Sequence, residues 1–438
     1  MRTEKDVGKA ARWARQVLVG AAVCVSSIPV SAQPRPNHSG WSQWGGPTRN
    51  FHVDSEPIAS VWPEDGPSEL WRRPLGEGYS SIVVANEMLV TMYRDGEDEV
   101  VIGLDAATGS TRWAHAYHAP LVHNGYFDIW LNSAGPGPYS TPLVLQTGEA
   151  SAAVVAIGVN GHLHTLDTAT GDLLWSHDLV ERFALSDYNA FASSPLAYGE
   201  TVIVPLGGSR QGVVALDRAT GAVVWHSDEV ALAPGSPLLI RVEGDDQLVV
   251  LGQQEVVGLD PRTGVALWTH PHENELGLNI SVPVWSGDSF LFVTSAYDGG
   301  SRMLQVGEID GRTTVEEQWS TNRMRVHFSN TVVVDELVIG SSGDFGPAFL
   351  TALEIETGAE AWRSREFARA HMLVADGKLV ILDEDGDIAI ASVSKDGLNV
   401  LARHALLTEN AWTPPTLVGH TLYVRDRRDI LALDLGSQ

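Results

Sequence analysis

Short apolar runs alternate along the chain with clusters of turn-forming residues, and one such unit recurs. Residues 212–225, GVVALDRATGAVVW, contain two strands rich in β-branched residues joined by Asp-x-x-Thr-Gly, a pattern that predicts a β-hairpin. The same frame recurs at residues 101–113, 163–175, 256–268 and 350–362. In every copy the Gly precedes the Trp by four residues, so the chain repeats one structural unit.

Each copy of the unit contains a residue that must be buried. The Gly can take a positive φ without steric cost, whereas the Trp offers a large apolar ring that one hairpin cannot hide alone. From Trp113 to Trp362 the Trp residues are spaced by 43 to 62 residues, which is typical of four-stranded propeller blades. The residues predicted to dock neighbouring blades are Trp71, Trp113, Trp175, Trp225, Trp268, Trp319, Trp362, Gly109, Gly171, Gly221, Gly264 and Gly358.

The two ends of the chain complement each other. Residues 69–75 carry Trp71 without an Asp-x-x-Thr-Gly turn, and residues 430–436 match the first half of the hairpin without a Trp strand. Joining them completes one blade and removes an exposed sheet edge. With a degenerate copy near Arg403, the predicted fold is all-β: an eight-bladed β-propeller of four-stranded antiparallel blades, closed by the N-terminal strand joining the C-terminal blade.

The N-terminal residues have the pattern of an export signal. Five basic residues precede an apolar core at residues 17–25, and Val30-Ser31-Ala32 suits a cleavage site. We predict a signal peptide at 1–32, a strap at 33–67 and the propeller at 68–438, in an exported protein that is periplasmic or extracellular and has no transmembrane segment. The alternative is a lipoprotein acylated on Cys24, but Ala21-Ala22-Val23 lacks the usual Leu, and we do not expect this anchor.

The charge of the chain limits its partners. Without residues 1–32, 24 basic residues stand against 53 acidic ones, a net charge of −29, and only Lys378 and Lys395 remain as lysines. Such an acidic surface repels phosphate backbones, so we predict no nucleic-acid partner. A salt-adapted host and GC-rich coding both explain the preference for Arg over Lys. We expect a monomer whose partner is a protein of the cell envelope.

The longest connection between blades, residues 114–138, is rich in aromatic residues and lies on the predicted loop face. Loops with aromatic anchors bind proteins well, and we predict partner contacts at Tyr126, Phe127 and Trp130, and at Phe345 in a second insertion. His118 and His123 are candidates for a metal or substrate cluster. Packing of a long loop explains this pair better, because no Glu or Cys stands at ligand spacing.

Three further motifs have a structural interpretation that we prefer. Residues 383–387, Asp-Glu-Asp-Gly-Asp, resemble part of a calcium loop but also fit an ordinary turn between strands. Ser193-Ser194-Pro195 and Ser140-Thr141-Pro142 contain hydroxyls without a nucleophile elbow and fit the start of inner strands. The segment WSQWGGPTRN at residues 41–50 suits a strap that buries Trp41, Trp44 and, further on, Trp62. We predict no catalytic, cofactor-binding or metal-ligating residue.

The Ala/Gly-x-Asp-x-x-Thr-Gly-x-x-x-Trp frame of residues 103–113, 215–225 and 258–268 resembles the tryptophan-docking repeat of the PQQ-like superfamily of eight-bladed propellers. The resemblance covers about residues 41–438. It implies one of two roles. One is that of the non-catalytic BamB-type proteins, which are scaffolds in outer-membrane protein assembly, together with secreted PQQ-like repeat proteins of unassigned role. The other is that of quinoprotein alcohol dehydrogenases, which hold pyrroloquinoline quinone and calcium on the propeller axis.

We favour the scaffold. The dehydrogenases typically carry adjacent cysteines and longer insertions, whereas Cys24 is the only cysteine of this chain and lies in the predicted signal peptide. A quinone- and calcium-dependent oxidoreductase of alcohols or sugars is the alternative. Carbohydrate or polymer binding through channel aromatics is a third possibility.

The predicted export signal can be tested by mass spectrometry of the protein expressed in an exporting bacterial host. We expect a mature N terminus at Gln33 in the periplasmic or extracellular fraction, because cleavage after Ala32 follows a small residue at each key position. A chain that starts at an acylated Cys24 would instead show the lipoprotein reading to be right.

Overall fold

The computed structural model describes residues 40–121, 135–146, 152–185, 190–207, 212–227, 230–287, 289–344 and 346–436. Strands dominate these ranges, and the one helix within them, α1, is the single turn Leu179–Arg182. Asp178 caps α1, since its carboxylate accepts a hydrogen bond from the Glu181 amide at 2.9 Å.

The strands fall into eight sheets that follow one another along the chain. Blade 1 contains β3 (Val83–Ala85), β4 (Met88–Asp95), β5 (Asp98–Asp105) and β6 (Thr111–His118). Blade 2 contains β7 (Leu143–Gln146), β8 (Ala152–Ile157), β9 (His162–Asp167) and β10 (Leu173–Asp178). Blade 3 contains β11 (Leu196–Tyr198), β12 (Thr201–Pro205), β13 (Val213–Asp217) and β14 (Val223–Ser227). Blade 4 contains β15 (Leu238–Val242), β16 (Asp245–Leu251), β17 (Glu255–Leu259) and β18 (Ala266–Pro271).

The second half repeats this order. Blade 5 contains β19 (Val284–Trp285), β20 (Phe290–Ser295), β21 (Gly300–Ile309) and β22 (Arg312–Thr321). Blade 6 contains β23 (Val326–Val334), β24 (Leu337–Ser342), β25 (Phe349–Glu354) and β26 (Glu360–Ser364). Blade 7 contains β27 (Ala370–Ala375), β28 (Lys378–Asp383), β29 (Asp387–Ser394) and β30 (Gly397–Ala405), with β1 (His52–Val53) added in parallel beside β27. Blade 8 contains β31 (Thr416–Val418), β32 (Thr421–Arg425), β33 (Asp429–Asp434) and β2 (Ser68–Pro74).

Every blade is an antiparallel meander of four strands, apart from the added β1. The predicted all-β, eight-bladed propeller is confirmed. In blade 8 the outer strand comes from the start of the chain, because β2 pairs with β33 and places Trp71 opposite Ala432.

Neighbouring blades are joined by the indole rings of the outer strands. The ring of Trp113 lies on Gly171 of blade 2, where an added Cβ would stand 2.7 Å from ring atoms, and its Nε1–H donates to the Thr168 carbonyl at 2.8 Å. The same contact recurs between Trp71 and Gly109, Trp175 and Gly221, Trp225 and Gly264, and Trp319 and Gly358. The Gly at each turn therefore leaves room for the Trp of the preceding blade.

Three blade junctions lack this contact. Blade 5 has no Thr-Gly turn, and Trp268 donates instead to the side-chain oxygen of Gln247 at 2.7 Å, while the Gln247 amide donates to Thr313 of blade 5 at 2.8 Å. Blade 7 also lacks the Thr-Gly turn, and Trp362 of blade 6 donates instead to the Ser394 carbonyl at 2.9 Å. In blade 7 itself the Trp position, directly after the bulge, belongs to Ala402, which pairs with Ile390. The guanidinium of the next residue, Arg403, lies 4.7 Å from the Phe367 ring and binds the Asp387 carboxylate.

The outer strands share a β-bulge that the sequence pattern did not predict. In β10, Leu173 pairs with Leu166 and Trp175 pairs with Thr165, which leaves Leu174 without a partner in the register. The same shift precedes the Trp position in all eight blades. Because a bulge twists an edge strand away from regular pairing, it protects these eight edges from uncontrolled association.

Residues 40–58 cross one end of the central channel. Trp41 and Val84 of β3 exchange two backbone hydrogen bonds at 2.9 and 2.8 Å, and the Val144 amide of β7 donates to the Ser42 carbonyl at 2.8 Å. Trp41 and Phe51 are buried, and Trp44 meets Phe51 edge-on at 4.7 Å. This strap contacts the innermost strands of several blades at once.

Replacing Gly171 by Ala tests the contact between indole and glycine. The new Cβ meets the Trp113 ring, and Gly171 also has a φ of +75°. We expect a loss of about 2–5 kcal/mol in the free energy of unfolding, from backbone strain and overpacking together. Gly377→Ala is the matched control, because Gly377 has a φ of +64° with nothing within 4 Å of an added Cβ. It should lose only about 1–2 kcal/mol; equal losses in urea denaturation would mean that the ring contact contributes nothing.

Candidate functional site

Hydroxyl groups link the innermost strands around the channel. The loops between blades and the middle turn of each blade lie on one face, here called the connector face. Near this face the Ser81 amide donates to Thr141 Oγ1 at 3.1 Å, the Thr141 amide to Ser194 Oγ at 3.0 Å, and the Ser194 amide to Ser236 Oγ at 2.9 Å. This hydroxyl relay gives Thr141 and Ser194 a structural role, because it connects the inner strands of blades 1, 2, 3 and 4 in order.

Aromatic side chains line the channel on the connector face. Tyr139 and Tyr79 stack with ring centroids 6.1 Å apart, Tyr79 lies 5.2 Å from Trp412, and Trp412 lies 4.9 Å from Phe328. These four residues precede or begin the innermost strands of blades 2, 1, 8 and 6. The aromatic arc therefore spans much of the channel mouth.

Charged groups hold the arc in place. Arg369 lies 4.9 Å from the Phe328 ring centroid and 3.9 Å from the Glu384 carboxylate, and it donates to the Asp344 carbonyl. The Trp412 indole donates to the same carboxylate oxygen, Glu384 Oε2, at 2.9 Å. Burial lowers the pKa of Arg369, although Glu384 and Asp344 act in the opposite direction. Each of these charges already has a partner.

Two buried histidines pack beside Phe328 of the aromatic arc. The His371 ring lies 6.3 Å from Phe328, and His327 lies 4.9 Å from it. Burial lowers the pKa of each imidazole to about 3, and the Arg369 cation contributes to both shifts. Both rings are therefore neutral at physiological pH.

The insertion at residues 94–99 forms a buried ion pair rather than a binding loop. Arg94 and Glu99 are 3.1 Å apart, and their side chains are 3% and 0% exposed. Tyr117 donates to Glu99 at 2.9 Å, and Arg94 donates to the Ala119 carbonyl at 2.7 Å. Burial raises the pKa of Glu99, whereas Arg94 and Tyr117 lower it. The pair fixes the start of the longest connector.

Histidines from two blades meet nearby. His115 Nε2 and His164 Nδ1 are 2.8 Å apart, and His118 lies beside Asp98 at 3.3 Å. Burial lowers the pKa of His164 to about 4, with His115 adding to the shift. Within the described ranges no three His, Cys, Asp or Glu side chains are placed to hold a metal ion. His123 lies outside those ranges.

An exposed apolar surface lies on the outer strands of three consecutive blades. We call it the apolar belt, and its residues are 40–61% exposed: Leu173, Leu174, Val223, Val224, Val265 and Leu267. The same strand positions hold Arg112 in blade 1, Glu317 and Gln318 in blade 5 and Glu360 in blade 6, whereas blade 8 has a single exposed leucine there, Leu70. In so acidic a chain, an aliphatic surface that continues over three neighbouring blades indicates a contact surface.

The predicted partner-binding residues cannot be placed. Tyr126, Phe127, Trp130 and Phe345 lie outside the described residues. The sequence pattern did not lead us to predict the apolar belt, although apolar residues precede the Trp in three consecutive repeats. Leu-Leu-Trp, Val-Val-Trp and Ala-Leu-Trp occur in blades 2 to 4, against Glu-Gln-Trp in blade 5.

The acidic segment 383–387 forms the turn between β28 and β29. Asp383 Oδ1 accepts from the Asp387 amide at 3.0 Å, and Gly386 has a φ of +91°. Arg403 lies beside both Asp383 and Asp387. The preferred interpretation as a turn therefore agrees with the observed hairpin.

The described residues at the channel mouth do not fit calcium together with pyrroloquinoline quinone. Calcium requires several converging oxygen ligands. Here Glu384 is engaged by Trp412 and Arg369, and Asp344 lies 3.7 Å from Arg325. We derive no reaction through this pair.

Comparisons with known proteins agree with this fold. A family model described as "Outer membrane protein assembly factor BamB" matches residues 128–363. The chain is similar to the outer membrane protein assembly factor BamB of Yersinia pestis, at 26% identity over 332 residues, which cover 71% of this chain and 79% of the relative. In the part of the chain that the structure describes, no helix is long and apolar enough to cross a membrane.

Two solved structures show the shared fold. BamB from Moraxella catarrhalis superposes with a TM-score of 0.60 at 19% identity, covering 85% of this chain and 98% of its own. Quinohemoprotein alcohol dehydrogenase from Comamonas testosteroni also has a TM-score of 0.60, at 14% identity, covering 91% of this chain and 81% of its own.

Buried neutral histidines make stability depend on pH. The pKa of His371 is about 3 in the fold and 6.5 for a free imidazole, so the unfolded chain binds the proton first. Its stabilising contribution is complete above about pH 6.5 and is lost as the pH falls towards 3. We expect His371→Leu to flatten the decline of the melting temperature between pH 7 and 4. His118→Gln, at a side chain that is 65% exposed, is the control and should leave the profile unchanged.

Proposed function

The chain belongs to the family described as outer membrane protein assembly factor BamB, and from this premise we propose that it is an exported, non-catalytic scaffold of the cell envelope. Its task would be to bind a protein partner during outer membrane protein assembly. The family match covers residues 128–363, which include every residue of the apolar belt. A rigid ring with one exposed apolar surface suits such a role.

The apolar belt is the observation that carries this proposal. Removing apolar surface from water favours association by about 25 cal/mol per Å². Aliphatic side chains that are 40–61% exposed on three adjacent blades therefore offer a driving force that the charged outer strands of blade 5 lack. The acidic remainder of the surface would keep the protein soluble and would disfavour anionic partners.

The proposed scaffold has no resident cofactor. The carboxylates at the channel mouth are engaged by Trp412, Arg369 and Arg325, which supports a structural role for them. Tyr126, Phe127, Trp130 and Phe345 stay predicted as a second set of partner contacts.

The belt can be tested by replacing its central residues with the residue of blade 5. Gln318 occupies the same bulge position as Leu174, Val224 and Leu267. The triple variant Leu174→Gln, Val224→Gln and Leu267→Gln should fold with an unchanged melting temperature, because the three side chains are 42–54% exposed. We expect at least a tenfold loss of partner cross-linking in cells and a lower level of outer membrane β-barrel proteins.

The matched control is Ile309→Gln, which removes an aliphatic side chain that is 65% exposed at the end of β21, outside the belt. A photo-reactive residue at position 174 should give a defined adduct with an envelope protein, whereas one at position 309 should not. Equal cross-linking at both positions, or full outer membrane assembly in the triple variant, would contradict the proposed surface.

A further inference from the structure

The strap motif WSQWGGPTRN contains a buried cation that the proposed scaffold does not use. Arg49 is 4% exposed and lies among strap residues that contact the innermost strands. Its backbone has a φ of 57°, a left-handed conformation that is costly for a residue with a side chain. The turn is held by the Arg49 amide donating to Gly46 and the Phe51 amide donating to Gly45. The orientation of the Arg49 side chain is therefore achieved at a cost in backbone conformational energy.

Only one end of the guanidinium is satisfied. Nη1 donates to the Pro195 carbonyl at 3.1 Å and to Gln43 Oε1 at 3.3 Å. The group also lies 5.9 Å from the Trp44 ring centroid. Pro195 follows Ser194 of the hydroxyl relay, so the guanidinium reaches the level of the relay inside the ring of innermost strands.

The opposite edge of the guanidinium is buried without a partner. Nε and Nη2 have no hydrogen-bond acceptor among the described residues, and no carboxylate there lies within ion-pairing distance. Nε–H and the adjacent Nη2–H point in parallel along one edge, the arrangement that binds a carboxylate or phosphate through two oxygens. Burial alone lowers the pKa of Arg49 to about 9, with no acidic neighbour to offset it.

Further buried hydroxyls surround the channel. Ser80, Ser140, Ser329, Thr331 and Thr413 lie on or just before innermost strands, and their oxygens also have no partner among the described residues. Native proteins rarely leave so many buried polar groups unpaired, and an unpaired buried charge is costlier still. Buried polar groups of this kind are satisfied by ordered water or by a polar ligand.

We propose that the channel holds a small oxyanion, of the size of formate, acetate or phosphate, bound through two oxygens to Nε and Nη2 of Arg49. The anion neutralises the buried cation and fixes the strap across the channel. An occupant this small matches a guanidinium that is only 4% exposed. The inference is independent of the scaffold function, since the site lies among the innermost strands and the apolar belt lies on the outer strands.

The test is thermal unfolding of the mature protein after exhaustive dialysis into buffers of equal ionic strength. We expect formate, acetate or phosphate at 10 mM to raise the melting temperature by about 2–4 °C over chloride, because a ligand bound only to the folded state stabilises it. Arg49→Met should abolish this increment. Gln43→Ala removes a hydrogen bond to Arg49 Nη1 but leaves the Nε and Nη2 edge of Arg49 unchanged. This variant should keep the rise in melting temperature.

Crystals grown with selenate give a second measurement that needs no variant. We expect an anomalous peak whose oxygens lie about 2.7–3.1 Å from Nε and Nη2. No selenate peak, together with an equal response to every salt in wild type and Arg49→Met, would overturn the anion site. A response that depends on Arg49 but is as large for chloride as for formate would overturn the oxyanion class.

Discussion

The whole ring depends on the contact between an indole ring and a glycine of the next blade. A single blade exposes its Trp, and only the following blade offers a surface without a Cβ on which the ring can lie, as Gly171 does for Trp113. The indole N–H also has one acceptor, the carbonyl that follows the turn Asp. The contact therefore fixes both the distance and the rotation between neighbouring blades, and its repetition closes a ring instead of an open stack.

The three junctions that lack this contact show what the ring requires. Between blades 4 and 5, the Gln247 side-chain oxygen accepts a hydrogen bond from the Trp268 N–H, and the Gln247 amide donates one to Thr313. Between blades 6 and 7, the Trp362 N–H keeps a carbonyl acceptor at Ser394, although no glycine of blade 7 lies against its ring. In blade 7, Ala402 takes the Trp position. The indole N–H therefore keeps a defined acceptor where the glycine is missing, and the ring closes with one blade that has no indole at this position.

The sequence predicted the ring because its repeats carry a residue that must be buried and a turn that admits it. It predicted less of the surface, for a physical reason. A β-bulge depends on pairing between strands, so the outward position of Leu174 is invisible until the register with β9 is known. The hydroxyl relay likewise joins residues more than forty positions apart, such as Ser194 and Ser236, whose hydroxyls are common at strand starts. We predicted partner contacts around Trp130 from the aromatic composition of the connector alone, and composition does not determine where a side chain lies.

Comparison of three of the four buried arginines among the described residues shows what distinguishes Arg49. Arg425 is fully buried, yet each of its side-chain nitrogens reaches a backbone carbonyl, among them Met92 at 2.6 Å and Gly76 at 3.1 Å.

Arg94 meets the carboxylate of Glu99. Arg49 alone keeps a whole guanidinium edge without an acceptor among the described residues, although leaving each buried donor unpaired costs about 1–3 kcal/mol. The chain carries 55 acidic residues and places none of those described beside this cation. Because a protein with so many carboxylates could readily have supplied one, the free edge is best understood as a place kept for an anion from outside the chain.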